Sequence, residues 1–394
     1  MTQMNKVLIK TVHDILNYDA KNAIDNIVKC VFETILYSER EEFLSNTLGG
    51  NKGNGSYTRL ARSVNKYFKL KIPRDRLGLF KPVFLEALKE QESQMQDLAF
   101  ELYVKGLTTN DIKHVFDKIY NKKISKSSIS NITKSFTAQR EAWQQRVLEK
   151  EYYFIYIDAL YIPVRRDTVK KEAFYIVLGL RKDLKRDILG VYNIPVESAE
   201  GWRDVFKDIK KRGVEKVLMF IADGLTGLKK VVNEEFPASK FQRCIVHKNR
   251  NILLKARTND KDLLSADLKK VFKLEDTSYT IQDGKKNLTL FLNKWSKKYP
   301  HIVRQFDDFD IDNYFQYLNF PAPIQRMIYT TNWIERLNKG VRKTQRVRNS
   351  FPNPESALNL VGAYLMDFED RVYKYPVTAL KRAQDELNAM LEVT

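Results

Sequence analysis

The spacing of apolar residues predicts that the chain begins with helices. Apolar residues fall at helix-like intervals over residues 1–48. Four glycines, at positions 49, 50, 53 and 55, then interrupt this spacing. They predict a loop or hinge, because glycine weakens regular structure.

A helical spacing returns over residues 93–150 and is typical of a helix-turn-helix unit. The first helix ends at Gly106, and Thr108 with Asp111 predicts a capping box for the second. Ser125 or Ser127 can cap a third helix, whose small polar and basic residues suit a recognition helix: Ser128, Ser130, Asn131 and Lys134. Any module of three packed helices gives the same periodicity, so a purely structural interpretation stays open.

From residue 151 the pattern becomes typical of strands. Residues 152–162, 173–180 and 188–194 are rich in aromatic and β-branched side chains and predict an antiparallel meander. An amphipathic helix over 201–213 follows, and the apolar run 217–223 predicts a fully buried strand. Three strands, a helix and a returning strand are the order of a ribonuclease H-like sheet, in which the fourth strand lies beside the first.

Beyond this sheet the pattern is helical again. Apolar residues over 249–325 predict helices, and a long helix is expected from Asn332 to about Arg348. The expected fold class is multidomain α+β, with N-terminal helical DNA-binding domains and a ribonuclease H-like α/β core interrupted by an all-α insertion. The expected divisions are 1–90 (helical and basic, with possible dimerisation), 91–150 (helix-turn-helix-like), 151–248 (first part of the core), 249–325 (insertion) and 326–394 (second part of the core and C-terminal helices).

The net charge of the chain indicates a class of binding partner. The 394 residues carry a net charge of +19, and such a surface attracts polyanions, nucleic acid first among them. Residues 52–81 hold nine Lys or Arg against one acid, with aromatics interleaved, and include the candidate DNA-binding residues Arg59, Arg62, Arg74 and Arg76. A basic protein from a lysine-rich proteome, or a solvated basic face, is the alternative.

Several classes of protein do not fit the sequence. No apolar stretch approaches the ~20 residues that span a bilayer, and the N-terminus lacks the apolar core of a signal peptide. We therefore expect neither membrane insertion nor secretion, and a cytoplasmic location. Two cysteines, Cys30 and Cys244, exclude a disulfide framework, and the closely spaced ligand pairs of a zinc finger are absent, so no zinc is expected.

Two aspartates occupy the ends of strands that are predicted to be neighbours. Asp158 lies near the end of the first strand, and Asp223 ends the buried one. Carboxylates that converge repel each other unless a cation neutralises them. Mg²⁺, with Mn²⁺ as a substitute, suits such oxygen ligands, and a third carboxylate is expected. Read singly, each aspartate is equally explained as a turn or capping residue.

Several ordered motifs resemble one family of enzymes. They include residues 155–165 (IYIDALYIPVR), 221–228 (IADGLTGL), 244–247 (CIVH) and 330–343 (TTNWIERLNKGVRK). These motifs, and others from about residue 50 to about 370, resemble the insertion-sequence transposases related to the eukaryotic Mutator group. The resemblance implies that Asp158, Asp223 and Glu335 form the DDE triad that binds the metals. It also implies that the helices between Asp223 and Glu335 are the insertion domain of these enzymes.

Glu335 has a structural alternative. Asn332 as N-cap with Glu335 three residues later is a capping box, which needs no catalysis. The same helix carries basic residues that we expect to track a DNA backbone, unless they form a solvated face: Arg336, Lys339, Arg342, Lys343, Arg346 and Arg348.

The remaining site candidates are interpreted as residues that support the active site. They are Cys244 and His247, which match the C-x-x-H motif of the family, with Asn332 and Asn338 on the helix of Glu335. The sequence departs from the family at Trp333 and Arg336, where small residues are common. Trp333 would pack on the insertion domain or stack on a base, and Arg336 would add a phosphate contact.

The sequence therefore predicts a DNA transposase. It would bind the terminal inverted repeats of a transposon, cleave at the transposon ends and join the freed 3′ hydroxyl to target DNA by two-metal phosphoryl transfer. Two ends must be processed together, so a homodimer at least is expected, acting on double-stranded DNA at the nucleoid. The alternatives are a nuclease of the same fold without strand transfer and a transposase-derived DNA-binding regulator.

Overall fold

The computed structural model describes residues 23–47, 50–63, 66–119, 126–306 and 308–394. The chain divides into two compact units. The first consists of Met1–Tyr103 and Leu107–Thr133, and the second of Val104–Gly106 and Lys134–Thr394. Helices and strands are numbered below along the described residues.

The first unit contains a β-hairpin, which the sequence patterns did not predict. Helix α1 (Ala23–Asn46) precedes the antiparallel strands β1 (Gly53–Ser63) and β2 (Lys66–Asp75). The helix predicted over 1–48 is confirmed from Ala23, and its first 22 positions lie outside the described residues. Placing Gly53 and Gly55 in a loop was wrong, since both lie in β1.

The hairpin is stable because one of its faces packs against helices. Phe68, Leu70 and Ile72 alternate with exposed lysines along β2 and share a buried cluster with Leu36 of α1 and Leu85. Backbone pairing places Arg59, Arg62 and Arg74 on the hairpin strands, with Arg76 directly after β2. The prediction that residues 1–90 are helical was therefore wrong for β1 and β2, although this hairpin is basic as predicted.

Three helices follow the hairpin: α2 (Val83–Val104), α3 (Thr109–Ile119) and α4 (Lys126–Gln144). The capping box before α3 is confirmed, because the Thr108 amide donates to Asp111 Oδ2 at 2.8 Å and the Asp111 amide to Thr108 Oγ1 at 3.2 Å. Gly106, at φ +101°, ends the first helix as predicted. Of the two proposed caps for α4, Ser125 lies outside the described residues and Ser127 lies inside the helix. Both α2 and α4 pass from one unit into the other, so the predicted division at 91–150 is not a compact unit of its own.

The second unit is built on a mixed five-stranded sheet. Its strands are β3 (Glu151–Arg165), β4 (Val169–Arg181), β5 (Arg186–Asn193), β6 (Lys216–Ala222) and β7 (Lys240–Arg243), and their spatial order is β5-β4-β3-β6-β7. The predicted meander is confirmed, since β3, β4 and β5 pair antiparallel. The predicted return is also confirmed, since β6 pairs with β3 in parallel. Strand β7, parallel to β6, was not predicted.

The two faces of β3 pack against different helices. Ile155 and Ile157 belong to the core shared with α5 (Ala199–Lys211) and α6 (Leu228–Glu235). Tyr156 points the other way, because side chains alternate along a strand, and its ring lies 5.2 Å from that of Trp333. Asp158 has the same parity as Tyr156 and so faces the helices of the C-terminal part.

Within residues 249–325 the regular structure that is described is helical, with turns between the helices, and residue 307 lies outside the described residues. Helix α7 (Ile245–Leu254) leads into this region, which continues with α8 (Lys261–Val271), α9 (Ile281–Trp295), α10 (Pro300–Val303) and α11 (Ala322–Ile328). Their apolar sides bury Leu264, Leu268, Leu288 and Phe291. The helical prediction is confirmed; that these residues form a separate domain stays a prediction.

The chain ends with α12 (Asn332–Gln345), α13 (Pro354–Phe368) and α14 (Gln384–Val393). The predicted long helix is confirmed, although it ends at Gln345 rather than near Arg348. No helix in the described part of the chain has the length and apolar character needed to cross a membrane.

Candidate active site

Strand register brings Asp158 and Asp223 together. The last parallel pair of β3 and β6 joins Ile157 to Ala222. Asp158 and Asp223 are the next residues along these two strands, so their backbones are neighbours. Asp223 follows the end of β6, whereas Asp158 lies within β3, which continues to Arg165 beside β4 instead of ending near Asp158 as predicted. Asp158 is buried, whereas the side chain of Asp223 is 39% exposed.

Glu335 reaches the same place from helix α12. Thr331 precedes this helix without a side-chain cap, and Asn332 is already its first helical residue. The capping box of Asn332 and Glu335 is therefore wrong. Glu335 instead turns toward the sheet, where Asp158, Asp223 and Glu335 line one cleft of about 360 Å³ together with His247, Arg250, Lys339 and Arg342.

A buried amide holds the innermost acid. Asn338 lies one helical turn after Glu335 and is fully buried. Its Nδ2 donates to Asp158 Oδ2 at 2.7 Å. Since this hydrogen bond spans 180 residues of sequence, it fixes α12 against β3 at the position of the aspartate.

His247 lies between the other two acids. Its Nδ1 is 3.9 Å from Asp223 Oδ2, and its Nε2 is 3.2 Å from Glu335 Oε1. The second contact is a charge contact rather than a hydrogen bond, because Glu335 Oε1 accepts none. Arg250, one turn later on α7, approaches Glu335 Oε2 at 3.2 Å.

Cys244 positions His247 from the start of helix α7. It is the N-cap of α7, and its Sγ accepts from the His247 amide at 3.4 Å. The Thr331 hydroxyl lies 3.4 Å from this sulfur and 3.3 Å from His247 Nδ1. The structure thus gives the C-x-x-H motif a local role: the cysteine begins the helix that carries the histidine.

The pKa values of these groups follow from burial and from one another. Burial raises the pKa of Asp158 to about 6; the attraction of His247 opposes this shift, and the charges of Glu335 and Asp223 add to it. The Cys244 side chain first, and then Asp223 and Asp158, raise the pKa of His247 to about 9 against the effect of its burial. The site therefore concentrates negative charge beside one histidine.

The donor set suits a divalent cation, although the side chains do not form a preformed cage. Glu335 lines the cleft, and its Oε1 is buried and accepts no hydrogen bond, so the cleft offers a carboxylate oxygen to a cation. Within the described residues, no three His, Cys, Asp or Glu side chains converge closely enough to hold a metal ion. The chemistry of the donors fits, and His247 stands between two of them.

Comparison with known proteins identifies the family of the chain. The model of the family described as "Transposase, Mutator family" matches residues 1–374. The chain belongs to the Mutator family of transposases. It is 30% identical over 359 residues to the transposase for insertion sequence element IS1201 of Lactobacillus helveticus, covering 91% of this chain and 95% of that protein. It is also 30% identical over 381 residues to the transposase for insertion sequence element IS256 in transposon Tn4001 of Staphylococcus aureus, covering 94% and 96%.

The basic residues of this family member on and after α12 are divided between different surroundings. Lys339 and Arg342 line the cleft of the three acids. Lys343 and Arg346 are exposed further along the helix. Arg348 instead donates to the Gly106 carbonyl at 3.0 Å and lies over the Phe351 ring, so it has a structural role.

Asn332 and Arg336 are also absent from the lining of the cleft. Asn332 lines a neighbouring cavity with Asn249, Arg326 and Tyr329. Arg336 lies near Arg186, whose pKa it helps to lower after the larger effect of burial. The expected packing of Trp333 on the insertion was wrong, because its ring lies against Tyr156 of the sheet and under Arg186.

Arg250 was missed by sequence analysis. The available signal was its position three residues after His247, since residues at this spacing share a helix face. Among the DNA-binding candidates on or beside the hairpin and on α4, Arg74, Arg76, Asn131 and Lys134 are exposed, and Arg59 is half-buried. Ser128 and Ser130 lie early in α4.

Proposed function

We propose that this protein is a DDE transposase that binds terminal inverted repeats, cleaves DNA at the transposon ends and transfers the strands. One observation carries the proposal: Asp158 from within β3, Asp223 from the end of β6 and Glu335 from α12 line one cleft with Lys339 and Arg342. Acids of this kind with cations beside them are what phosphoryl transfer on DNA requires.

The proposed core is ribonuclease H-like. The strand order β5-β4-β3-β6-β7, with three antiparallel strands and two parallel ones, supports it. We propose the helical residues 249–325 as an insertion between the second and third acids. The divisions 151–248 and 326–394 would then be two parts of one catalytic core.

Asp158, Asp223 and Glu335 would bind divalent cations. We propose Mg²⁺, with Mn²⁺ as a substitute, and we propose no zinc site. When bound, such cations supply activation of the attacking oxygen and stabilisation of the leaving one. Asn338 orients Asp158, and the Cys244–Thr331 pair orients His247. Lys339 and Arg342 would bind the phosphates of the strand that enters the cleft.

The first unit would bind the transposon ends. Its hairpin presents Lys69 and Lys71 on one exposed face, and a two-stranded ribbon fits a major groove. Helices α2 to α4 would act as the helix-turn-helix-like element, with α4, which carries Ser128, Ser130, Asn131 and Lys134, as the recognition helix. A homodimer would bring two ends together at the bacterial nucleoid.

Strand transfer with pre-cleaved ends tests the proposal. The probe is a duplex carrying the inverted repeat found beside the gene, mixed with plasmid target and Mg²⁺. We expect joined product from the native chain and none from Asp223→Asn, while Lys286→Gln, on the exposed surface of α9, remains active. Cleavage without joining would indicate a nuclease, and binding without either reaction a DNA-binding regulator.

A further inference from the structure

A short loop after the hairpin exposes two leucines. The segment between β2 and α2, residues 76–82, has the sequence RLGLFKP. The side chains of Leu77 and Leu79 are 62% and 58% exposed. Between them Gly78 has φ +68°, and a Cβ added there would have no heavy atom of the described residues, apart from its chain neighbours, within 4 Å. We call residues 76–79 the leucine loop.

A buried carboxylate fixes the shape of the leucine loop. Asp75, the last residue of β2, accepts hydrogen bonds from the Leu79 amide at 3.0 Å and from the Phe80 amide at 3.2 Å. At the other end of the loop, the Arg76 amide donates to the Lys52 carbonyl at 2.8 Å. The two leucines are therefore held on a defined turn. Apolar side chains held in water in this way gain free energy when a partner covers them.

The surroundings of the leucine loop are basic. Three exposed basic side chains flank the leucines in the sequence: Arg74, Arg76 and Lys81. Residues 52–81 hold nine Lys or Arg against one acid, Asp75, whose carboxylate is hydrogen-bonded to the loop itself. Helix α1 adds the exposed acids Glu41 and Glu42 to this unit, which leaves an excess of positive charge around the hairpin. Such charge favours a polyanion as the partner.

The small apolar area of the loop favours a DNA duplex over a second copy of the chain. Two leucine side chains can bury on the order of 200 Å², whereas a stable protein interface buries about 800 Å² on each partner. One or two apolar side chains are enough to act as a wedge between base pairs, when basic residues bind the phosphates beside them.

We propose that the leucine loop inserts Leu77 and Leu79 between base pairs of the transposon end, from the minor groove, and so kinks the duplex. The inference rests on the proposed function and adds a DNA deformation to it. The loop directly follows β2, whose exposed Lys69 and Lys71 belong to the face proposed to bind the duplex. Both features would therefore act on the same piece of DNA.

Fluorescence of 2-aminopurine, which rises when this base is unstacked, tests the wedge. The base is placed at one position at a time in a terminal-repeat duplex, and the native chain is added in excess. We expect the fluorescence to rise at one base step. In Leu77→Ala/Leu79→Ala this rise should be lost and the affinity should fall about tenfold, as expected when a buried leucine side chain is removed. Since both leucines are exposed, the urea midpoint of this variant should equal that of the native chain.

Two further variants separate the wedge from general DNA binding. Leu263→Ala/Leu290→Ala removes leucines of matching exposure, 60% and 59%, from α8 and α9, and should behave like the native chain. Arg74→Gln/Arg76→Gln should lower the slope of log affinity against log salt by about 2 and retain the fluorescence rise at saturating protein.

The outcomes distinguish this inference from the proposed function. A duplex that is bound and cleaved without any unstacked base overturns the wedge alone. Loss of a dimer in Leu77→Ala/Leu79→Ala, with the fluorescence rise retained, also overturns the wedge and makes the loop a protein interface. Unstacking without cleavage or joining in Mg²⁺ supports the wedge and overturns the proposed catalysis. A native chain that binds no duplex overturns both.

Discussion

Asp158 is buried beside two other acids, and this arrangement costs stability. Burial raises the pKa of Asp158 to about 6, so its ionised form is disfavoured in the folded chain. We expect Asp158→Asn to increase the free energy of unfolding at pH 8 by about 1–3 kcal/mol, since each unit of pKa shift corresponds to about 1.4 kcal/mol. Asparagine keeps the size of the side chain and still accepts the hydrogen bond from Asn338.

Urea denaturation in EDTA measures this effect. Asp223→Asn is the matched control, because the more exposed Asp223 side chain should change stability by less. If the acids bind a cation, added Mg²⁺ should increase the free energy of unfolding of the native chain more than it increases that of the Asp158→Asn variant. Loss of stability in Asp158→Asn would mean that the carboxylate contributes more through its hydrogen bond than its burial costs.

At the scale of elements, the basic residues on and after α12 lie in two different surroundings. Lys339 and Arg342 line the cleft, whereas Lys343 and Arg346 lie outside it. We expect Lys339→Gln/Arg342→Gln to lower single-turnover cleavage at saturating protein by about 100- to 10,000-fold, since contacts to a charged group are worth ~1.5–3 kcal/mol each. Lys343→Gln/Arg346→Gln should weaken binding and lower its salt slope by about 1–2, with little change in that rate. Equal effects of the two pairs on the rate would contradict the division.

The sheet was predictable because its strands carry their own signal. β3, β4 and β5 are long runs of aromatic and β-branched residues, and β6 is apolar on both faces, so local pattern and tertiary burial agree. The hairpin β1–β2 was missed although Phe68 to Ile72 alternate apolar and lysine residues. The many basic residues hid the two-residue alternation of apolar and polar side chains that is typical of a strand. The hairpin is stable because it packs on α1, and a local sequence pattern does not show that contact.

The site was predictable only in part, because its residues lie far apart along the chain. Asp158 and Asp223 follow from strand order, because adjacent parallel strands end at one edge. Glu335 depended on the family resemblance, since nothing between Asp223 and Glu335 indicates how the chain returns. The hydrogen bond from Asn338 and the place of Arg250 are tertiary facts.

At the scale of the molecule, Glu369 connects separate parts of the second unit. It follows α13 and accepts hydrogen bonds from Trp143 Nε1 at 2.7 Å and from the Ile188 amide at 2.6 Å. Arg146 pairs with it at 3.1 Å, and Asp187 is the nearby acid. Burial raises the pKa of Glu369 to about 7, with Arg146 opposing this shift and Asp187 adding to it.

This raised pKa predicts that stability falls as the solution becomes more basic. The folded chain binds a proton at Glu369 more tightly than the unfolded chain, whose carboxyl titrates near 4.5. The contribution is therefore complete below about pH 4.5 and is lost as pH rises through about 7. Between pH 5 and pH 6.5, below the range in which the raised pKa of His247 contributes, we expect the free energy of unfolding to fall by about 1–2 kcal/mol in an Asp158→Asn background, which removes the similar contribution of Asp158. Glu369→Gln should flatten this dependence, while the exposed Glu392→Gln should leave it intact; an equally steep profile in Glu369→Gln would assign the proton to another group.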